Sequence, residues 1–186
     1  MLPALAEQFA ARFRETLRPL RLIGLEAEFP LVGPDGRAGD CNLLWPSLSA
    51  HGGYSPHYDD PARPTLLVGL ERDGVSYSIE VGRCTVELSI GPFEDLWETQ
   101  AALDRALAPL VRAAAEHGLL LLGAGIQPRT PHADRLMTPR DHYKALRAAI
   151  GPAWRPLTTT ASVQAHVDIC RAELLDAINL LNLFCP

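Results

Sequence analysis

The chain has 186 residues, of which 47% are hydrophobic and 21% charged, an ordinary globular balance with enough length for one domain with a real core. Its 17 Lys+Arg against 22 Asp+Glu leave a formal charge of −5 and no basic tract, which argues against nucleic-acid binding through phosphate neutralisation. No apolar run approaches the ~18 residues of a membrane span, and an acidic chain that handles an anionic substrate needs metal ions or a focused Arg/Lys pocket.

The N-terminus spaces Glu7, Arg12, Arg14, Glu15 and Arg18 among apolar residues. That pattern predicts an amphipathic helix over Pro3 to Leu17, not a signal peptide. From Ile23 to Leu31 the residues alternate: Ile23, Leu25, Ala27, Phe29 and Leu31 fall on one side of a strand, Gly24, Glu26 and Glu28 on the other. A turn follows at Gly33-Pro34-Asp35-Gly36. Residues 36–65, rich in Gly, Pro, Ser, His and Asp, are expected to form a long loop or lid. Strands are expected at 66–71, 75–81 and 84–90, the first two joined by an Asp73-Gly74 hairpin, with a turn or bulge at Gly82.

A long helix is expected to begin at Gly91-Pro92-Phe93, with Glu94 and Asp95 in its first turn and His117-Gly118 at its end. Pro109 inside it predicts a kink or two abutting helices. Leu119 to Gln127 reads as a strand in which Gly123 and Gly125 leave bare backbone beside Gln127, suited to close approach by a ligand. A Pro-rich loop spans 128–139, a short helix 140–150, an alternating strand 158–170, and a last amphipathic helix 172–184. Hairpin-linked strands mixed with helices indicate an α+β fold with a mostly antiparallel sheet and flanking helices. Cys41, Cys84, Cys170 and Cys185 show no metal or disulfide spacing, so free thiols in a reducing, cytoplasmic setting are expected.

If these strands share one sheet, a single face gathers Glu26, Glu28, Glu80, Glu87, Gln164 and His166. Two carboxylates two residues apart on a strand lie about 7 Å apart along the backbone. Such groups raise each other's pKa or recruit a cation, and hard divalent ions such as Mg²⁺ take oxygen ligands. The bland alternative is a solvated row of glutamates. His166 is read as a ligand, a packing residue or a substrate contact. Asp168, nearing the strand end, is read as supporting or structural. Arg129, Arg135, Arg140 and Lys144 cluster after Gln127 and could clamp a carboxylate or phosphate, or simply face solvent. His142 beside Tyr143 could contact substrate. His51, His57 and His132 have no role assigned.

The runs IGLEAEFPLV (23–32), SIEVGRCTVELSIGPFEDL (78–96), LLGAGIQP (121–128), LMTPRDHY (136–143) and TTTASVQAHVDI (158–169), in that order, resemble the glutamate–cysteine ligase family, nearest to its plant-type branch and bacterial relatives. The resemblance implies a glutamine-synthetase-like active site on a curved antiparallel sheet. It implies ATP-dependent joining of the glutamate γ-carboxylate to the cysteine amine through an acyl phosphate, the first step toward glutathione. By that resemblance Glu26, Glu28, Glu80 and Glu87 are expected to hold Mg²⁺, together with His166 or Gln164 from the later strand. Glu80 and Gln164 are expected to face ATP, Arg140 and Gln164 to act in catalysis, and Gln127, Arg129, Tyr143 and Lys144 to bind substrate. Family members continue with further nucleotide- and metal-contacting segments, so the chain is expected to be a single N-terminal portion, 1–186. Its site would then be incomplete, with weak or absent turnover alone. The alternatives are a related ligase with another amine acceptor, a non-catalytic Mg·ATP- or glutamate-binding remnant, and a structural fragment whose glutamates face water.

Overall fold

The computed structural model describes residues 2–184. Cys185, one of the four expected free thiols, lies outside the described residues. The fold is α+β with a mostly antiparallel, open sheet of seven strands among the described residues. The strands are β1 (Ile23–Val32), β2 (Ser55–Tyr58), β3 (Leu67–Arg72), β4 (Val75–Ile79), β5 (Thr85–Phe93), β6 (Leu120–Leu121) and β7 (Val163–Val167). Their order is β2-β3-β4-β5-β1-β6, and β7 pairs with β1 over Ile23 to Ala27, on the edge that β6 takes up at Leu31 and Val32. The helices are α1 (Leu2–Ala10), α2 (Leu44–Gly52), α3 (Leu96–Glu116), α4 (Asp141–Ile150) and α5 (Leu174–Phe184).

The period-two alternation sets which face is which. Leu31, Leu70, Tyr77, Ile79, Val86, Leu88 and Ile90 turn to one side and pack against α2 and α3 in the core. α3 presents Ala102, Ala106, Ala113 and Ala114 there, small residues that let the helix lie close, and the Tyr77 hydroxyl donates to Ala106 O at 2.7 Å. The opposite face of β1, β4 and β5 carries Glu and Ser, and β7 adds Gln164. At the expected hairpin, Asp73 (φ 50°) and Gly74 (φ 77°) both take left-handed backbone, as a tight two-residue turn requires.

Several expected elements differ. The first helix stops at Ala10 and buries none of its residues, so packing does not extend it toward Leu17. The stretch 36–65 is not a bare loop: it holds a 3₁₀ turn (Cys41–Leu43), α2 and β2, and Leu44, Trp45 and Leu48 are core residues. The strand of residues 84–90 runs on to Phe93, and the helix starts later, with Asp95 as N-cap accepting from Glu98 N at 2.8 Å. α3 passes Pro109 as one helix, not two, because Leu110 and Ala113 beyond it remain buried and packing outweighs the lost hydrogen bond. Past Leu121 the strand expected to reach Gln127 gives way at its glycines, leaving one bridge between Ile126 and Thr160. Residues 151–158 form a 3₁₀ helix, which shortens the last strand to β7. All of β7 is exposed, including Val163 at 73% and Val167 at 55%, so its apolar side is not half-buried as the alternation predicts.

A small second cluster sits at the β4–β5 turn. Leu136, Tyr143 and Trp154 are buried there, and Thr138 fastens the segment to the sheet through Glu80 O (2.6 Å) and Val81 O (2.9 Å). Gly82 is required at this turn: a Cβ there would lie 2.0 Å from Thr158 O.

Candidate functional site

Register decides which side chains meet on the polar face. Glu28 on β1 lies directly opposite Glu87 on β5, and Glu87 in turn opposite Ser78 on β4. One step along, Glu26 lies opposite Ser89 and Gln164, and Gly24 opposite His166. Glu80 follows β4 and is held at the turn by its N–H to Thr85 O at 3.1 Å. The result is a three-carboxylate group, Glu28, Glu80 and Glu87, whose ligand oxygens all lie within 4.8 Å of one another.

These carboxylates are half-buried, and burial together with neighbouring negative charge raises the proton affinity of Glu80 and Glu28. Burial first, then the Glu87 and Glu28 charges, pushes the Glu80 carboxyl up to about 8. Glu28 is raised too, chiefly by burial, although bonds from Ser162 and Gln164 oppose the shift. A divalent cation binding here would displace the proton on Glu80 and neutralise the carboxylate charges that otherwise repel. Three carboxylate oxygens, one from each residue, form an all-oxygen donor set that fits a hard ion such as Mg²⁺ or Mn²⁺, with water or substrate completing the shell.

Hydroxyls hold the flanking carboxylates. Ser162 Oγ donates to Glu28 Oε1 (3.0 Å), Ser162 N to Glu28 Oε2 (3.0 Å), and Gln164 Nε2 to Glu28 Oε1 (3.2 Å). Ser78 Oγ (3.1 Å) and Ser89 Oγ (2.8 Å) both donate to Glu87 Oε1. The sequence reading gave these serines no role; their place in the alternation beside the glutamates was the available signal.

Glu26 is outside the three-carboxylate group. It pairs with His166, whose Nε2 lies 3.2 Å from Glu26 Oε1. Both line an open groove of about 750 Å³ that also takes in Ser76, Ser89, Gly74 and Gly91. Gln164 stands between the two sets and contacts Glu28, not Glu80.

The expected substrate-side residues are less concentrated. Arg140 is bound by its Nε to Asp59 Oδ1 at 3.0 Å, and Asp141 N donates to the other Asp59 oxygen at 3.1 Å. Burial opposes ionisation of Asp59, but these donors outweigh it and hold its carboxyl below the usual range. Asp59 therefore anchors the start of α4, a part sequence reasoning missed because its partners lie some eighty residues away. Tyr143 is buried behind Arg140, and its phenol is pushed upward by burial and by Glu80. Lys144 pairs with Asp141 at 2.8 Å. Arg129 lies over Gly36 and donates to Asp35 O at 3.0 Å. Gln127 is buried and donates to Cys84 O at 2.9 Å, tying the 121–128 segment to the end of β1 and β5. Among the described residues Cys41, Cys84 and Cys170 are free and buried, and no helix is long and apolar enough to cross a membrane.

A family model described as glutamate-cysteine ligase family 2 (GCS2) matches residues 22–186. Over 81 residues the chain is 33% identical to a Medicago truncatula protein named glutamate–cysteine ligase, chloroplastic. The matched stretch is 44% of this chain and 16% of that relative.

Proposed function

The chain belongs to glutamate-cysteine ligase family 2, and from that premise we propose that its polar sheet face is the cation- and nucleotide-facing part of an ATP-dependent carboxylate–amine ligase. The substrates of this reading are glutamate, cysteine or another small amine, and ATP. The observation that carries it is the convergence of Glu28, Glu80 and Glu87 from three separate chain segments within 4.8 Å.

In the proposed reaction a γ-carboxylate oxygen of glutamate attacks the γ-phosphorus of ATP and ADP leaves. The amine then attacks the acyl carbon of the γ-glutamyl phosphate, losing a proton as inorganic phosphate departs. Bound Mg²⁺ would neutralise the phosphate and carboxylate charges that otherwise repel. Glu28, Glu80 and Glu87 would hold one such ion, and Glu26 with His166 would offer donors to a second beside the groove. The carboxylates keep their aim because Ser78, Ser89, Ser162 and Gln164 hold Glu87 and Glu28. Gln164 in this reading orders the site through Glu28 and faces the nucleotide. Arg140, fixed by Asp59, walls the Tyr143 side, where the glutamate α-carboxylate would be sought.

Two measurements test the reading. Titration calorimetry is expected to show Mg·ATP binding that Glu28→Gln or Glu87→Gln abolishes. A coupled ADP-release assay with glutamate, cysteine and Mg·ATP reads turnover, and a panel of amines identifies the acceptor. Absence of both Mg·ATP binding and ADP release would overturn the proposal.

A further inference from the structure

Glu28 is the most heavily hydrogen-bonded of the three clustered carboxylates, and most of its bonds come from one residue. Ser162 gives it the side-chain hydroxyl and the backbone N–H, one to each oxygen, both at 3.0 Å. The contact is reciprocal, since Glu28 N donates back to Ser162 O at 2.9 Å. Gln164 Nε2 extends the arrangement by bonding both Glu28 Oε1 (3.2 Å) and Ser162 Oγ (3.3 Å). A carboxylate gripped at both oxygens cannot swing about its last torsion without breaking a bond. Its remaining lone pairs are therefore aimed before any cation arrives.

We propose that Ser162 is the positioning residue for Glu28, orienting its carboxylate so that the Glu28–Glu80–Glu87 group binds a divalent cation. The inference rests on the cation-binding reading of that group given above. Ser162 itself touches no cation in this scheme; it acts through Glu28. Residues that hold a ligand in this way commonly set metal affinity by about tenfold to a hundredfold. The position also explains why the residue just ahead of β7 is a hydroxyl side chain on an otherwise exposed edge: the strand reaches the site through Ser162, and β1 through Glu28.

The test is Mn²⁺ binding to the full chain, followed by the paramagnetic signal of free Mn²⁺, for wild type, Ser162→Ala, Ser162→Thr and Glu28→Gln. Ser162→Ala keeps the backbone N–H and the ladder contact and removes only the hydroxyl, and thermal melting records any change in folding. Expected are an affinity loss of about tenfold in Ser162→Ala, recovery in Ser162→Thr, which restores a hydroxyl, and loss of the site in Glu28→Gln. A purely structural serine would lower the melting temperature and leave Mn²⁺ affinity of the folded protein unchanged. That result, with wild type binding and Glu28→Gln not, overturns the positioning role and leaves the cation site standing. No Mn²⁺ binding by wild type, or equal binding by Glu28→Gln, overturns the cation reading and this inference together.

Discussion

Glu80→Gln is expected to stabilise the metal-free chain at alkaline pH. In the folded protein the Glu80 carboxyl titrates at about 8, against an ordinary value of 4.5, because burial and then Glu87 and Glu28 disfavour its charge. Below the ordinary value both folded and unfolded forms carry the proton, and Glu80 costs nothing. As pH rises from there toward 8, the unfolded chain releases the proton and the folded one keeps it, so stability falls across that window. One unit of displacement is about 1.4 kcal/mol, so the full loss is on the order of a few kcal/mol, shared with its coupled neighbours. Urea unfolding in a chelator at about pH 5 and about pH 8 measures it. The burial-raised thiols of Cys41 and Cys84 shift away from this range. Wild type is expected to lose stability over the interval and Glu80→Gln to lose much less, because the amide does not titrate. Saturating Mg²⁺ is expected to restore wild type, by about 2.7 kcal/mol at a hundredfold excess over its dissociation constant, and to act little on the variant. Equal pH slopes for the two proteins would refute the charge argument.

Three further outcomes follow from the geometry. Gly82→Ala would set a methyl group against Thr158 O, 2.0 Å from an ideal Cβ, and is expected to cost stability at or above the upper end of the about 1–3 kcal/mol typical of overpacking, read by urea unfolding. Asp59→Asn weakens the bonds to Arg140 and Asp141 N that anchor α4; a loss of about 1.5–3 kcal/mol and faster amide exchange across α4 are expected. Leu110→Ala empties a fully buried position on α3 under the sheet and is expected to cost about 2–5 kcal/mol in the same unfolding assay, with Mn²⁺ affinity of the folded protein unchanged.

What could be read in the chain depended on how local the determinant was. The alternation around Glu26, Glu28, Glu80 and Glu87 is a period-two signal within nine or ten residues, and the strands β1, β4 and β5 form where it occurs. The Asp73-Gly74 turn is equally local. α2 was hidden because Trp45, Pro46 and Ser47 make weak helix material, and the helix exists through the burial of Leu44, Trp45 and Leu48 against α3. Alternation also overstated β7, since the pattern records which residues share a face and not whether anything covers that face. Within the site, spacing could place Glu26 and Glu28 side by side but could not separate them. The separation comes from register: Glu28 meets Glu87, and Glu26 meets Ser89.

That register has an energetic consequence. Two like charges directly opposite in an antiparallel pair are destabilising, typically by a fraction of a kcal/mol on an open sheet and by more where burial lowers the dielectric. The Glu28–Glu87 pair bears this cost, and Glu80 adds a third carboxylate from the turn after β4. A shift of one residue in the β1–β5 pairing would relieve it, but would also turn Leu25, Ala27 and Phe29 out of the interior. The apolar face thus enforces a contact that the polar face resists. Ser78, Ser89 and Ser162 offset part of the resistance with hydrogen bonds to the charged oxygens, and the retained proton on Glu80 offsets more. The same proton is what an incoming divalent cation would displace. Cation affinity should therefore rise with pH up to about 8 and level off above it, and an affinity that is flat from about pH 6 to about pH 8 would show that Glu80 does not take part.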